Sequence, residues 1–163
     1  MPRTILIAVN ASEHSERALN WYLDKSRLHG DQVLFAHVVE SASIIPPPTY
    51  AHGPSLSREE WDQIMEELHA KAHVVTEPLE KVLEKYVSEN EGKDEKKEAQ
   101  YQTICSVGSP GEAICKMAED NKVDMVIIGN RGLGTIRRTL LGSVSDYIVQ
   151  HCTVAVVVVP PEQ

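Results

Sequence analysis

Residues 4–9, Thr4-Ile5-Leu6-Ile7-Ala8-Val9, form a short apolar run that ends at the polar Asn10. A run without alternating polar residues is typical of a strand covered on both faces in a parallel sheet. Beyond it, Ser12 is a candidate helix cap, apolar side chains recur at helical spacing over residues 18–23, and Gly30 is a candidate helix stop. The chain is therefore predicted to begin with a strand, a turn and a helix.

The same order of strand and helix recurs along the chain. Further apolar runs predict strands at residues 32–39, 103–107, 123–128 and 154–159, and helices are predicted from Ser57, from Ser109 to about Asp120, and from Ser143 to Gln150. Pro78 lies within the long helix that begins at Ser57 and predicts a kink or an interruption there. Strands that alternate with helices pair in parallel through right-handed crossovers, so the pattern predicts an α/β, three-layer doubly wound fold.

The length of 163 residues predicts a single domain over residues 1–163. Two stretches inside it lack a regular pattern. Residues 41–57 contain three consecutive prolines, and residues 91–98 form a mixed-charge run without apolar side chains. We interpret the first as a long loop and the second as a solvated insertion.

Composition excludes several function classes. Hydrophobic residues make up 42% and charged residues 25% of the chain, as in soluble globular proteins, and the first residues lead directly into a strand, so neither secretion nor membrane insertion is expected. The formal net charge of -8 disfavours nucleic acid as a partner and requires a local site of opposite polarity for any anion. The odd set of distant cysteines (Cys105, Cys115 and Cys152) predicts reduced thiols and a cytoplasmic location.

The segment from residue 129 to residue 145 is the main candidate for a functional site, because it follows a buried strand and precedes a helix. Its glycines and serine follow the pattern Gly-x2-Gly-x9-Gly-Ser. Glycines let the backbone approach phosphates closely, and the helix start offers free N–H donors. Arg131 within the loop adds a charge-assisted contact. The alternative is that the glycines only make turns and Ser143 only caps a helix.

With this segment, the chain resembles universal stress proteins of the single-domain type over nearly its whole length. The matching residues are 5–15, 36–38, the turn at 107–110 and the segment 129–145. The resemblance implies a five-stranded parallel sheet of strand order 3-2-1-4-5, the adenine nucleotide alpha hydrolase-like fold. It also implies a homodimer that pairs the last strand, Val154 to Val159, across a two-fold axis.

The resemblance further implies an adenine-nucleotide site, since the glycine motif holds the phosphates and ribose in the ATP-binding branch of that family. The expected ligand is ATP, with ADP or AMP as alternatives, and Mg²⁺ would enter through the nucleotide phosphates. The implied site residues are Ala8, Val9, Asn10, Val38, Ile128, Gly129, Arg131, Gly132, Gly142, Ser143, Val144 and Ser145.

One departure from the family concerns the residues after the first strand, where the family usually has Asp followed by Gly and this chain has Asn10-Ala11. An amide can hydrogen-bond a base or a sugar, but it brings no charge to Mg²⁺ and cannot act as a general base. No catalytic residue is therefore assigned. The leading hypothesis is a homodimeric stress-response regulator that binds ATP as a signal. The alternatives are a slow ATP hydrolase using Arg131 and a nucleotide-free dimeric scaffold.

The remaining candidates are interpreted as structural. His69 and His73 are four residues apart and resemble half of a metal site, but the sequence offers no third ligand nearby. We interpret each cysteine as a small buried hydrophobe. Asp124 and Asp146 have no partner in the sequence that suggests paired acid–base chemistry. The sequence identifies no downstream protein partner.

Overall fold

The computed structural model describes residues 2–40, 57–90, 99–130 and 141–161. Strands and helices alternate along the chain in the predicted order. They are β1 (Thr4–Val9), α1 (Glu13–Lys25), β2 (Gln32–Val39), α2 (Arg58–Asn90), β3 (Tyr101–Val107), α3 (Pro110–Asp120), β4 (Met125–Gly129), α4 (Ser143–His151) and β5 (Ala155–Val159).

β1 lies at the centre of one parallel sheet with the strand order β3-β2-β1-β4-β5. The predicted fold and strand order are thus confirmed. The chain runs outward from β1 to β3 on one side and then returns to β4 on the other, so the order reverses between β1 and β4. A reversal of this kind opens a crevice at the carboxyl ends of the two strands.

The side chains of β1 alternate between two hydrophobic cores. Ile5 and Ile7 are fully buried on the face that α1 and α2 cover, and Leu6 is fully buried on the face that α3 and α4 cover. This two-sided burial explains why β1 has no alternating polar residues. None of the described helices combines the length and the apolar character that crossing a membrane requires.

The expected interruption at Pro78 is wrong, because α2 runs through it from residue 58 to residue 90. Proline removes the N–H that would bond the carbonyl of Val74, four residues earlier. Val74 is 71% exposed, so water can take the place of that donor. The buried residues Leu79 and Leu83 then hold the following turns against the core.

Helix termini agree with the predictions in part. At the start of α2, the Ser57 N–H donates to Glu60 at 2.7 Å and the Glu60 N–H donates to the Ser57 hydroxyl at 3.2 Å, which confirms the capping box. Ser109 precedes α3 but makes no side-chain capping hydrogen bond there. Gly30 does not end α1, because the helix stops at Lys25 and Gly30 adopts a φ of +85° in the later turn before β2.

Asp31 is a buried carboxylate that joins the start of β1 to the end of α1. Arg3 donates to both of its oxygens, at 3.0 and 2.7 Å, and the Tyr22 hydroxyl and the Leu28 N–H each donate at 2.9 Å. Burial by itself would raise the pKa of Asp31. The hydrogen bonds from Arg3, Leu28 and Tyr22 outweigh that effect and hold the pKa below its ordinary value.

We expect Asp31→Asn to lower the free energy of unfolding by about 1–3 kcal/mol at neutral pH, because the amide cannot accept both Arg3 bonds. A lowered carboxyl pKa stabilises the folded state above the unfolded pKa, and this stabilisation is lost as pH falls through the folded pKa. The difference in the free energy of unfolding between wild type and variant should therefore decrease once the pH falls below 3.8. Urea unfolding across this pH range measures it. The exposed Glu77, paired with Lys81 at 2.7 Å, provides the control Glu77→Gln, and equal destabilisation by both variants would contradict the prediction.

Candidate functional site

The crevice at the carboxyl ends of β1, β2 and β4 holds a cavity of about 260 Å³. Ten of the predicted site residues line it: Ala8, Val9, Asn10, Val38, Ile128, Gly129, Gly142, Ser143, Val144 and Ser145. The other two, Arg131 and Gly132, lie outside the described residues. The fold thus brings together residues from three strands and from the first turn of α4.

Small and apolar side chains at the strand ends form one wall of the cavity. Ala8 in β1 is in register with Ala36 in β2 and with Ile128 in β4, and all three line the cavity. Val38 and Ile114 extend the apolar surface. Walls of this kind, with a few polar groups at fixed positions, are typical of small-molecule sites.

Asn10 holds the tight turn between β1 and α1. Its backbone N–H donates to the Ser15 hydroxyl at 2.8 Å, and its Oδ1 accepts from the Ser12 and Ser15 hydroxyls, the latter at 3.1 Å. The Ser12 hydroxyl therefore bonds Asn10 and does not cap α1. These bonds use the amide oxygen, so Nδ2 is the group that the Asn10 side chain can offer as a donor at the cavity.

The N-terminus of α4 meets the cavity without a side-chain cap. Gly142 is the N-cap residue and Ser143 is the first helical residue, so the alternative in which Ser143 caps the helix is wrong. The Asp146 N–H donates to the Gly142 carbonyl at 2.8 Å, and by helix geometry the N–H groups of residues 143–145 have no acceptor within the helix. These donors and the helix dipole give this corner of the cavity a positive polarity.

The two glycines at the cavity differ in how much space surrounds them. A Cβ atom at Gly129 would lie 2.1 Å from the His14 carbonyl oxygen, so this glycine lets α1 approach the end of β4. Among the described residues, a Cβ atom at Gly142 would meet only the Asn130 Oδ1 atom, at an ordinary contact distance of 3.5 Å. The described protein atoms therefore leave room for a side chain at Gly142, and its absence keeps the cavity accessible to a ligand.

Asn130 connects the two ends of the glycine segment. Its side chain is buried, and its Oδ1 accepts a hydrogen bond from the Gly142 N–H at 3.0 Å. Its carbonyl accepts from Arg17 Nη2 at 2.6 Å, and its N–H donates to the Val159 carbonyl at 2.8 Å. The amide thus sets where the chain leaves β4 and where it enters α4. Sequence reasoning did not single it out.

Sequence reasoning also omitted six other residues from the predicted site. His14, Ser15, Ala36 and Pro110 fall within the matched motifs. Glu40 directly follows β2 and Ile114 lies in α3, and both elements border the crevice of the doubly wound sheet. Glu40 is the one carboxylate among the described lining residues. The six are His14, Ser15, Ala36, Glu40, Pro110 and Ile114.

The histidine and aspartate candidates from the sequence show no metal cluster and contact other protein groups in the described structure. No cluster of three or more His, Cys, Asp or Glu side chains suited to a metal ion occurs in the described part of the chain. His69 Nδ1 lies 3.4 Å from the Cys105 sulfur. Asp124 accepts a hydrogen bond from the Thr4 N–H at 2.8 Å, and Asp146 accepts one from Gln150 at 2.8 Å.

Comparison with known sequences places the chain among stress proteins. Residues 1–160 match the model of the Universal stress protein family. The chain is 30% identical to a universal stress protein of Methanocaldococcus jannaschii over 164 residues, which cover 98% of the chain and 95% of that protein. It is also 30% identical to the universal stress protein PHOS34 of Arabidopsis thaliana over 96% of the chain, but it spans only 61% of that protein's length.

Solved structures show the same fold at lower identity. A universal stress protein family member from Arabidopsis thaliana with AMP bound has a TM-score of 0.62 and 19% identity, covering 99% of this chain and 93% of its own. A universal stress protein in complex with cAMP has a TM-score of 0.56 and 19% identity, covering 98% of both chains. These similarities support the adenine nucleotide alpha hydrolase-like fold.

We expect Asn130→Ala to lower the free energy of unfolding by about 1–3 kcal/mol, because it leaves the Gly142 N–H without its acceptor. Hydrogen exchange at the Gly142 amide should accelerate in the same variant, since Asn130 Oδ1 protects that proton in the folded state. Chemical unfolding and exchange followed by mass spectrometry measure the two effects. Asn90→Ala is the control, because Asn90 is exposed and its side-chain amide donates to the Tyr86 carbonyl of the same helix, at 2.9 Å. Unchanged exchange at Gly142 would refute the proposed connection.

Proposed function

The chain belongs to the universal stress protein family, and on that premise we propose that it binds an adenine nucleotide in the cavity at the ends of β1, β2 and β4. The observation that carries the proposal is the uncapped N-terminus of α4, which presents three backbone donors to the cavity. Relatives of the same fold that bind AMP and cAMP support the choice of ligand class.

The nucleotide would lie with its base against the apolar wall and its phosphates towards α4. Ala8, Val38 and Ile128 offer a surface for a planar base, and Asn10 Nδ2 offers a hydrogen-bond donor to base or ribose. A cavity of about 260 Å³ is slightly smaller than the roughly 300–1,000 Å³ of typical ligand sites, which suits a base and ribose better than a whole nucleoside triphosphate. The phosphates of ATP would then extend to the segment that contains Arg131 and Gly132.

The bound nucleotide would act as a signal in the stress response. Asn10 supplies no carboxylate that could hold Mg²⁺ or accept a proton, so we propose Mg²⁺ binding through the nucleotide phosphates alone. A signalling role requires that the nucleotide bind one conformation of the protein better than another. We propose a cytoplasmic location, which the three free cysteines of the structure support.

The protein would act as a homodimer through β5. This strand is at the edge of the sheet, and its pairing with β4 uses only one side of its backbone. In the described sheet β5 is thus an edge strand and not an inner one. An edge strand of this composition presents unpaired backbone groups to a second strand.

We expect wild-type protein to bind ATP in a calorimetric titration and Gly142→Asp to bind at least about tenfold more weakly, because the new carboxylate would occupy the α4 donors and repel phosphate. Aspartate is favoured at a helix N-cap, so the variant should still fold. Asn90→Asp adds the same charge at an exposed position outside the cavity and should bind like wild type. Equal affinity in all three proteins would contradict the proposed phosphate position.

The same purified proteins also distinguish nucleotide binding from slow hydrolysis and from a nucleotide-free scaffold. Titrations of ATP, ADP and AMP with and without Mg²⁺ give the nucleotide preference and the metal requirement. Steady phosphate release that Gly142→Asp abolishes would favour the slow hydrolase. A protein that contains no nucleotide after purification and gives no heat at millimolar ATP would favour the nucleotide-free scaffold.

Sedimentation at several concentrations tests the dimer. We expect Ala155→Lys, at an exposed position of the edge strand, to weaken dimerisation at least about tenfold, because an edge lysine opposes strand pairing. Val74→Lys changes a side chain of α2 that is 71% exposed and should leave the dimer intact. A monomeric wild type, or equal weakening in both variants, would exclude pairing through β5.

A further inference from the structure

Cys115 and Cys152 bring two thiols together on the face of the sheet that α3 and α4 cover. Cys115 lies in α3, Cys152 is the C-terminal cap of α4, and their sulfur atoms are 2.8 Å apart. Both cysteines are free thiols. A disulfide has its sulfur atoms about 2.05 Å apart, so bond formation requires an approach of less than about 1 Å.

Helix packing holds the two sulfurs close together. A Cβ atom at Gly111 would lie 2.7 Å from the Tyr147 ring, so this glycine lets α3 approach α4 closely. Both cysteines pack against the core cluster that contains the buried Ile114 and Ile148. The proximity of the thiols is therefore set by the apolar packing of the two helices, which persists whether or not the sulfurs are bonded.

We propose that Cys115 and Cys152 form a reversible thiol–disulfide site whose oxidant is a low-molecular-weight disulfide such as glutathione disulfide. Cys115 loses its proton and attacks one sulfur of glutathione disulfide, which releases a glutathione thiolate that takes up a proton. Cys152 then loses its proton and attacks the Cys115 sulfur, and the second glutathione leaves and is protonated. Two protein thiols give up two electrons, and one glutathione disulfide becomes two glutathione molecules.

The order of attack follows from the contact between the two thiols. The Cys152 S–H donates to the Cys115 sulfur. Burial, and then the hydrogen bond with Cys115, raise the pKa of Cys152 to about 12. Cys152 therefore remains protonated while Cys115 attacks, since the thiolate is the nucleophile. Cys152 becomes the resolving thiol once Cys115 carries the glutathione.

The third cysteine is an internal control. Cys105 lies in β3, where its sulfur contacts His69, and the sequence contains no fourth cysteine that could pair with it. It is partly exposed, as Cys115 and Cys152 are. Cys105 therefore shows how a partly exposed thiol outside the pair reacts under the same conditions.

A disulfide between Cys115 and Cys152 would link α3 to α4 without occupying the cavity. Pro110 and Ile114 of α3 and the first turn of α4 line the cavity, whereas Cys152 follows the last residue of α4. The nine residues of α4 separate the two ends by roughly 13 Å at 1.5 Å per residue. The cross-link closes a loop that contains the whole glycine segment, so it also restricts the unfolded chain.

The test equilibrates the full-length protein in glutathione buffers that range from fully reduced to fully oxidised, followed by acid quenching, alkylation and peptide mapping. We expect wild type and Cys105→Ser to lose two alkylatable thiols together, to yield a peptide pair linked through Cys115 and Cys152, and to recover both thiols in excess glutathione. The oxidised form should unfold at a temperature roughly 5–10 °C higher.

Single variants test the order of attack. Cys152→Ser should accumulate one glutathione on Cys115, whereas Cys115→Ser should acquire glutathione on Cys152 at least about tenfold more slowly, because burial disfavours that thiolate. The corresponding alanine variants and circular dichroism exclude misfolding as the cause. The proposal is overturned if fully oxidising buffer gives separate glutathione adducts without a Cys115–Cys152 link, if the link persists in excess glutathione, or if only Cys105 reacts.

Discussion

The burial of β1 on both faces is the constraint on which the rest of the structure depends. Ile5 and Ile7 on one face and Leu6 on the other are fully buried, so helices must cover both sides of the sheet. β1 pairs in parallel with both β2 and β4. The chain adds β2 and β3 on one side of β1 before it returns to add β4 and β5 on the other. The reversal produces the crevice, and the small Ala8 and Ala36 leave space in it. The cavity thus results from the strand order of the sheet and from the small side chains at the ends of its central strands.

The glycine segment serves the fold and the cavity at different positions. Gly129 is required by the close approach of the His14 carbonyl, which is a packing requirement of α1 against β4. Among the described residues, Gly142 has no neighbour at so short a distance, and its N–H donates to Asn130, so α4 begins at the cavity without a side-chain cap. The glycine segment therefore contains two kinds of residue. Some position the chain, as Gly129 does, and others would contact a ligand, as those at the start of α4 would.

Local sequence predicted the elements whose stabilising contacts are local, and it missed features that tertiary packing decides. The apolar run of β1 and the Ser57–Glu60 capping box are short-range patterns, and both were predicted correctly. Pro78 was expected to kink or interrupt α2, but the helix continues through it, with Val74 exposed and Leu79 packed in the core. Ten predicted site residues share one cavity, whereas the connecting role of Asn130 and the contact between cysteines 37 positions apart depend on the folded chain.

The charge balance of the chain limits which groups could attract an anion to the cavity. A net charge of -8 repels phosphate at long range, so attraction must come from groups that act only at short distance. Backbone N–H groups at a helix start meet that need because they neither titrate nor require a compensating side chain. Asn10 keeps this balance, since it brings no negative charge to a cavity whose one carboxylate among the described lining residues is Glu40. The proposed binding of a nucleotide therefore depends on the donors at the start of α4, and hydrolysis would need a base other than the side chain at position 10.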